Sequence, residues 1–247
     1  MIEPYFIGLL EGNGSIQVNQ WKQRILQFRI VIKLKYTPLN YTLCQRIQAH
    51  TQLFNLHVRH NYVILVQDNQ QKLKKLCQLL DKYPFLSQKM QADYAFFKYC
   101  LQIKPTFSEY KFLKANKQLV PNFHPRKVPA HTLLNCVWIH WWIVGFVEAE
   151  GYFCVRTNGR ISFGIGVKDE SILMELIKQF FEMPNKIQHK ANKMLVVEGS
   201  QRSMLQRVVT FFQTHKLVGE KKSSFEKFKF VFETPKSLSK DFGRCRG

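Results

Sequence analysis

The chain has 247 residues, 45% of them hydrophobic and 14% aromatic, which is enough to bury a sizeable core and excludes an intrinsically disordered protein. Its 37 Lys and Arg residues outnumber 17 Asp and Glu residues, and the formal charge of +20 favours a polyanionic partner, first of all nucleic acid. A solubilising basic surface or a membrane surface is the alternative, but the longest apolar run, CVWIHWWIVGFV, is short for a bilayer span of about 20 residues, so no membrane association is expected.

The first half of the chain predicts the order αββαββα with one extra helix. The stretch FIGLLEGNG is followed by SIQVNQW and ILQFRIVIKLK, whose alternating apolar and polar residues predict a hairpin. A helix is predicted over TPLNYTLCQRIQAHTQLF, with Thr37 as its cap and Pro38 in its first turn. A second hairpin, LHVRHN with YVILVQD, then leads to two helical patterns, NQQKLKKLCQLLDKY and SQKMQADYAFFKYCLQIK.

The second half repeats this order. The stretch IVGFVEAEG precedes the predicted hairpin YFCVRTNGRISFGIGV, in which Asn158 and Gly159 give a strong turn signal. The helix DESILMELIKQFF, the hairpin NKIQHKANKMLVVEG and the helices SQRSMLQRVVTFFQTH and SSFEKFKFVFET follow. The interval from FIGLLEGNG to IVGFVEAEG nearly equals the interval from Lys89 to Lys221, so the sequence predicts a duplication.

The predicted domain organisation is therefore two similar repeats joined by a linker. The first repeat covers residues 1–117 and the second covers 138–236. Between them, residues 118–137 are rich in proline and basic residues, which is typical of a linker. Residues 237–247 are predicted to form a loose basic tail.

The two glycine-containing stretches predict a pair of packed helices with polar ends. Gly8 and Gly145 stand among apolar residues, so their helices can approach backbone to backbone at a helix interface. Each stretch ends in a polar pair before the next strand, and two such ends would converge on one spot. Converging carboxylates are the ligands that Mg²⁺ prefers, and a metal pair can serve both oxygens of a phosphodiester reaction. A plain helix C-terminus is the alternative for one occurrence, but two matching occurrences favour a site.

These stretches, the elements around them and the segments YPFLSQKMQADYAFFK and HKLVGEKKSSFEKFKF resemble the LAGLIDADG homing endonucleases in their single-chain, two-motif, organelle form. The resemblance covers nearly the whole chain. It implies an α+β fold of two pseudo-twofold-related αββαββα repeats, each with a saddle-shaped antiparallel sheet that lies in the DNA major groove. It also implies Mg²⁺ or another divalent cation as cofactor, a mitochondrial or other organellar location, and a monomer containing an internal pseudo-dimer.

The resemblance assigns roles to individual positions. The eighth motif position, which holds the metal-binding acid, is Glu150 in the second repeat and Asn13 in the first. The sixth position is Glu11 or Glu148 and is interpreted as structural. The basic residue that neutralises phosphate charge corresponds to Lys89 in the first repeat and to Lys221 in the second. Both lysines are therefore candidate catalytic residues, together with Glu150 and the degenerate position Asn13. For both lysines, an ordinary solvated charge is the alternative.

Two departures from the family pattern predict weak cleavage. An asparagine lacks the negative charge that makes a carboxylate a strong ligand, so the centre at Asn13 is expected to bind metal poorly. The family's second-strand glutamine is replaced by Arg29 and by Gly164. The second centre, which keeps Glu150, is expected at most to nick one strand. The chain is thus predicted to bind nucleic acid well and to cleave it poorly.

Two functions remain open from the sequence. One is a homing endonuclease that recognises a long duplex site. The other is a non-enzymatic RNA-binding protein, such as an intron-splicing maturase or a component of a ribonucleoprotein associated with ribosomal RNA, which the charge and aromatic content also suit. The strand residues predicted to contact nucleic acid are Gln17, Asn19, Arg24, Gln27, Arg29, Arg156, Asn158 and Arg160.

Overall fold

The computed structural model describes residues 2–21 and 25–234. The first repeat runs through α1 Ile2–Asn13, β1 Gly14–Trp21, β2 Ile25–Lys35, α2 Pro38–Thr51, β3 Asn55–Arg59, β4 Tyr62–Gln67, α3 Gln70–Lys82 and α4 Gln88–Ile103. Two further helices follow, α5 Phe107–Ala115 and α6 Ala130–Leu134. The second repeat runs through α7 Ile139–Glu150, β5 Gly151–Val155, β6 Ile161–Lys168, α8 Ser171–Phe180, β7 Gln188–His189, β8 Met194–Gly199, α9 Arg202–Thr214 and α10 Lys221–Glu233.

The strands form two four-stranded antiparallel sheets with the same topology. Their strand orders are β1-β2-β4-β3 and β5-β6-β8-β7, so each repeat pairs two hairpins through the second strand of each hairpin. This arrangement confirms the predicted α+β class and the duplicated αββαββα order.

Each sheet has one face against the helices and one open face, by which we mean the face that the helices leave uncovered. On β2, the side chains of Phe28, Ile30 and Ile32 are buried in the core, whereas those of Gln27 and Arg29, which alternate with them, are only partly buried. Strand residues alternate between faces, so the polar residues of β2 lie on the open face.

The two motif helices α1 and α7 cross in contact at their glycines. A Cβ atom at Gly8 would overlap the carbonyl oxygen of Trp142 and lie 2.8 Å from the nitrogen of Phe146. A Cβ atom at Gly145 would overlap the carbonyl oxygen of Tyr5 in the same way. The contacts are reciprocal between equivalent positions of the two repeats, as a twofold relation requires. Only glycine permits this backbone separation.

The helix boundaries follow local capping signals. Thr37 caps α2 by accepting a hydrogen bond from the Asn40 nitrogen at 3.2 Å, and Pro38 is the first helical residue, as predicted. The helix ends at Thr51, before the end of the predicted span, because Gln52 adopts a left-handed conformation with φ of 53°. None of the helices in residues 2–21 and 25–234 is long and apolar enough to span a bilayer.

The part of the chain between α4 and α7 is more structured than its composition indicates. The helix α5 begins with a capping box, in which Thr106 and Glu109 each accept from the other's backbone nitrogen. Tyr110 on this helix donates to the carbonyl oxygen of Val18 at 2.7 Å, which anchors α5 to the edge strand β1. The short helix α6 lies within residues 118–137, where the sequence predicts only a linker. The tail at 237–247 lies outside the described residues.

Candidate active site and nucleic-acid interface

The C-terminal ends of the motif helices meet at one place. Helix α1 ends at Asn13 and helix α7 ends at Glu150. A Cβ atom at Gly12 would overlap the methyl group of Ala149 and lie 3.0 Å from Cγ of Glu150, so the second motif end packs directly on the first. Strands β1 and β5 start at the next residues. The two eighth motif positions therefore lie where the helix pair meets both sheets.

The carboxylate of Glu150 is partly buried and lies near one cationic side chain. Burial raises the pKa of Glu150 above its ordinary value, and the positive charge of Lys221 acts in the opposite direction. Lys221 is the first residue of α10, so this helix brings its ammonium group within electrostatic reach of Glu150. An acid and a base of the second repeat are thus combined at the motif end.

Lys89 is placed differently. Its Nζ atom forms an ion pair with Asp93 at 2.9 Å, four residues further along α4, and the other oxygen of Asp93 lies 3.9 Å from Lys117. The Lys89 side chain is 73% exposed. Lys221 takes part in none of the ion pairs found among the described residues. Lys89 and Lys221, which occupy equivalent positions in the two repeats, therefore have different electrostatic surroundings.

Glu11 and Glu148, at the sixth motif positions, bind the starts of helices. Glu11 accepts hydrogen bonds from the backbone nitrogens of Leu86, at 3.0 Å, and Ser87, at 2.6 Å, just before α4. Glu148 accepts from the nitrogens of Gly219 and Lys221, at 3.1 and 3.0 Å, at the start of α10. Negative groups are favourable at helix N-termini, so these buried acids fix the two helices that carry Lys89 and Lys221.

The burial of Glu11 makes stability depend on pH. Burial raises the pKa of Glu11 from 4.5 to about 7, against the effect of its hydrogen bonds. Between these values the folded protein holds a proton that the unfolded chain releases, so its contribution to stability falls as pH rises. We expect the unfolding free energy of the natural protein, relative to Glu11→Gln, to fall by about 3 kcal/mol from below pH 4.5 to above pH 7.

This expectation is measured by urea unfolding across that pH range. Glu226→Gln, at an exposed position of α10, controls for the loss of one acidic residue. Parallel pH profiles for the natural protein and Glu11→Gln would contradict the expectation.

Each lysine-bearing helix is also capped by the opposite repeat, an arrangement that the sequence did not reveal. Glu170, before α8 of the second repeat, accepts from the nitrogens of Gln88 and Lys89 at 3.1 and 3.0 Å. Asn40, in α2 of the first repeat, accepts from the nitrogen of Glu220 at 2.9 Å. No local pattern identifies such partners, since the hydrogen bonds join residues distant in sequence.

The predicted nucleic-acid-binding residues fall into two groups. On the first sheet, Gln17 and Asn19 form a hydrogen-bonded row with Ser15 on the open face, at 2.8 and 3.0 Å. Gln27 and Arg29 lie on the neighbouring strand, opposite Asn19 and Gln17 respectively. On the second sheet, the turn between β5 and β6 brings together Arg156, Asn158 and Arg160. Arg24 lies outside the described residues.

The two second-strand departures have different structural settings. The Nε atom of Arg29 is buried and has no hydrogen-bond partner among the described residues. Gly164 is covered by the ring of Tyr152, which occupies the space that a side chain at 164 would fill. In the first repeat, Arg29 thus places a cation beside the open face. In the second repeat, the ring of Tyr152 fills the space above Gly164.

The residues at the motif ends fit one divalent cation better than two. Among residues 2–21 and 25–234, no group of three or more His, Cys, Asp or Glu side chains is arranged to hold a metal. Mg²⁺ commonly takes one or two protein carboxylates and completes its shell with phosphate oxygens and water. Glu150 can supply such a carboxylate, whereas the amide of Asn13 offers only a neutral oxygen.

The chain matches the family described as "LAGLIDADG endonuclease" over residues 6–101 and 143–232, one region in each repeat. A protein of Dictyostelium citrinum, "Probable intron-encoded endonuclease aI3", is 33% identical over 94% of this chain and 95% of its own length. A protein of the same description from Debaryomyces hansenii is 29% identical over 92% of this chain but only 37% of its own length.

The fold is shared with solved structures. The LAGLIDADG meganuclease I-CpaMI bound to uncleaved DNA is similar with a TM-score of 0.74 and 18% identity, covering 98% of this chain and 92% of that one. I-SmaMI, bound to an uncleaved DNA target in the presence of calcium ions, gives a TM-score of 0.75 and 16% identity over 98% and 97%. At these identities the similarity establishes the fold.

Proposed function

Because the chain belongs to the LAGLIDADG endonuclease family, as the resemblance predicts, we propose that it binds a long duplex DNA site and cleaves at most one strand of it. This proposal rests on a difference in charged residues between the C-terminal ends of the two motif helices. One end combines a carboxylate, Glu150, with the charge of Lys221. The other has the neutral Asn13, and its lysine, Lys89, is paired with Asp93.

The proposed chemistry is confined to the second motif end. Glu150 would hold a divalent cation, Mg²⁺ being the family's expected metal, and this cation would supply Lewis-acid stabilisation to the phosphate. Lys221, whose backbone nitrogen is fixed by Glu148 at 3.0 Å, would place its ammonium group beside the phosphate as negative charge develops. Asn13 would contribute no charge to a second cation.

The open faces of the two sheets are the proposed DNA-binding surface. On the first sheet, polar or basic side chains alternate with apolar ones along β1 and β2. The neighbouring structures I-CpaMI and I-SmaMI are described as bound to DNA. We propose that repeats 1–117 and 138–236 each bind one half of the site within one monomer, with 118–137 connecting them and 237–247 adding basic charge. Relatives described as intron-encoded support an intron origin. We also propose the organellar, for example mitochondrial, location that the family resemblance implies.

Binding is expected to weaken steeply with salt. The protein carries a formal charge of +20, and each phosphate contact by Lys or Arg releases a counterion. If about six phosphates are neutralised, affinity should fall roughly 1,000-fold between 50 and 200 mM salt. The measurement is fluorescence anisotropy with a duplex selected from a random library. An affinity that does not change with salt would contradict this use of the charge.

A second candidate, binding of structured RNA, is supported by a basic groove on the helical side of the molecule. A cavity of about 500 Å³ lies between α2, α9 and α10. Its cationic lining residues are Arg46, Lys216, Lys222 and Lys229. These helices belong to the side opposite the open faces, so the groove offers a separate site, as a maturase or a ribonucleoprotein component would need.

Substitutions in the groove and on the open faces distinguish RNA binding from duplex DNA binding. Lys222→Ala with Lys229→Ala should weaken RNA binding and leave duplex binding unchanged if RNA occupies the groove. Arg29→Ala, on an open face, should have the opposite effect. RNA that is bound equally well by both variants would exclude the groove as its site.

A further inference from the structure

A carboxylate, Glu198, lies on the open face of the second sheet, close to the arginines of the turn between β5 and β6. Glu198 on β8 accepts hydrogen bonds from Ser162 at 2.5 Å, Tyr152 at 3.1 Å and Arg156 at 3.3 Å. Its side chain is 31% exposed, and that of Arg156 is 57% exposed. One terminal nitrogen of the arginine, Nη2, is thus held by the acid, while more than half of the Arg156 side chain is exposed.

The strands around Glu198 are built to hold this group. Glu198 pairs with Gly164 on the neighbouring strand, and Gly164 pairs in turn with Tyr152. Because position 164 has no side chain, the Tyr152 ring lies across it and its hydroxyl group reaches the carboxylate. Any larger residue at 164 would displace the ring. The glycine therefore serves a specific contact on this face.

The acid remains charged beside the proposed DNA surface. The hydrogen bond from Ser162, together with Tyr152 and Arg156, lowers the pKa of Glu198 below its ordinary value. A carboxylate near phosphates costs binding energy, since like charges repel. An arginine needed only for phosphate contacts would bind better without this neighbour. The pair is better explained by a contact that requires a fixed geometry.

We infer that Arg156, held by Glu198, recognises a guanine in the DNA major groove, an assignment that rests on the proposed DNA-binding function. An arginine fork matches the O6 and N7 acceptors of guanine and no other base edge as well. The guanidinium group has five N–H donors, so one hydrogen bond to Glu198 leaves a fork free. Fixing the side chain before binding lowers the entropy lost in the complex.

Arg160, on the same turn, provides the matched comparison. Its backbone nitrogen donates to Asn158, but its side chain forms none of the ion pairs found in residues 2–21 and 25–234. A long arginine without a fixed partner suits a phosphate contact, which carries no sequence information. The two arginines are thus assigned to different tasks.

The test is selection from a duplex library of random sequence with the natural protein, followed by binding of single-base variants of the selected site. We expect one guanine whose replacement costs the natural protein about 5- to 150-fold in affinity. Arg156→Lys keeps the charge but loses the planar fork, so the preference for guanine should weaken while binding to other sequences stays as before. Arg160→Ala should weaken binding to all sequences about equally and keep the preference.

Glu198→Gln tests the second half of the assignment. It keeps the arginine but removes the charge that holds it, so the preference for the guanine should weaken while binding to unrelated duplexes strengthens. An unchanged guanine preference in Arg156→Lys, or an Arg156→Lys effect identical to that of Arg160→Ala, would overturn the assignment alone. Failure of the natural protein to retain any duplex would overturn the proposed DNA-binding function and this assignment with it.

Discussion

Replacing Glu150 with Gln should abolish any cleavage by the natural protein and leave its DNA affinity nearly unchanged. The substitution keeps the size of the side chain but removes the carboxylate that would hold Mg²⁺ beside the phosphate. Metal stabilisation of a phosphoryl oxygen is worth several kcal/mol, so nicking should slow by more than about 100-fold. Affinity should persist because, on the proposed binding mode, it comes largely from Lys and Arg side chains that contact phosphates.

Replacing Asn13 with Asp should have the opposite effect. It restores a negative charge at the first motif end with little change in size, and should raise metal binding and add cleavage of the second strand. The gain should be partial, because Arg29 and Gly164 stay as they are. The assay is a supercoiled plasmid carrying a selected site, scored for nicked and linear products in Mg²⁺.

Two outcomes would contradict this view of the motif ends. Efficient linear product from the natural protein would show that Asn13 is no obstacle to cleavage. No product from Asn13→Asp, on a site that it demonstrably binds, would show that the scaffold is kept for binding alone.

Adding one methyl group at the helix crossing should destabilise the whole protein. A Cβ atom at Gly8 or Gly145 would overlap a backbone carbonyl oxygen of the facing helix, and a backbone cannot rotate away as a side chain can. We expect Gly8→Ala and Gly145→Ala each to cost about 3 kcal/mol, the upper part of the usual range for overpacking. For a chain of this length that lowers Tm by about 6 to 12 °C.

Gly166→Ala is the matched control. A Cβ atom at Gly166 would meet its nearest neighbour, Cγ2 of Val196, at 3.5 Å, which is ordinary contact. Its Tm should therefore change little. Equal melting temperatures for Gly8→Ala, Gly145→Ala and the natural protein would exclude the close helix crossing.

The sequence predicts the elements of the fold well because their signals are local. Alternation identifies the strands β1 and β2, and Thr37 with Pro38 identifies the start of α2. The helix α5 was missed although its capping box, Thr106 and Glu109, is visible in the sequence. The short α6 was missed because the prolines before it are typical of a linker.

The site is predicted only in part, because much of it depends on contacts between distant residues. The motif locates Asn13 and Glu150, but Glu170 and Asn40 gain their roles only when the other repeat packs on them. Gly164 shows the same limit. The role of Gly164 depends on the Tyr152 ring from the neighbouring strand. A glycine in the sequence does not indicate which side chain fills the space beside it.

The caps that cross between the repeats restrict how this protein can be recombined with its relatives. A chimera that joins the first repeat to a relative's second repeat would leave the backbone nitrogens of Gln88 and Lys89 without this acceptor unless the relative supplies one in place of Glu170. The reverse chimera needs a partner for the nitrogen of Glu220, which Asn40 provides here. Engineering by exchange of halves therefore has to transfer these capping residues along with the DNA-facing strands.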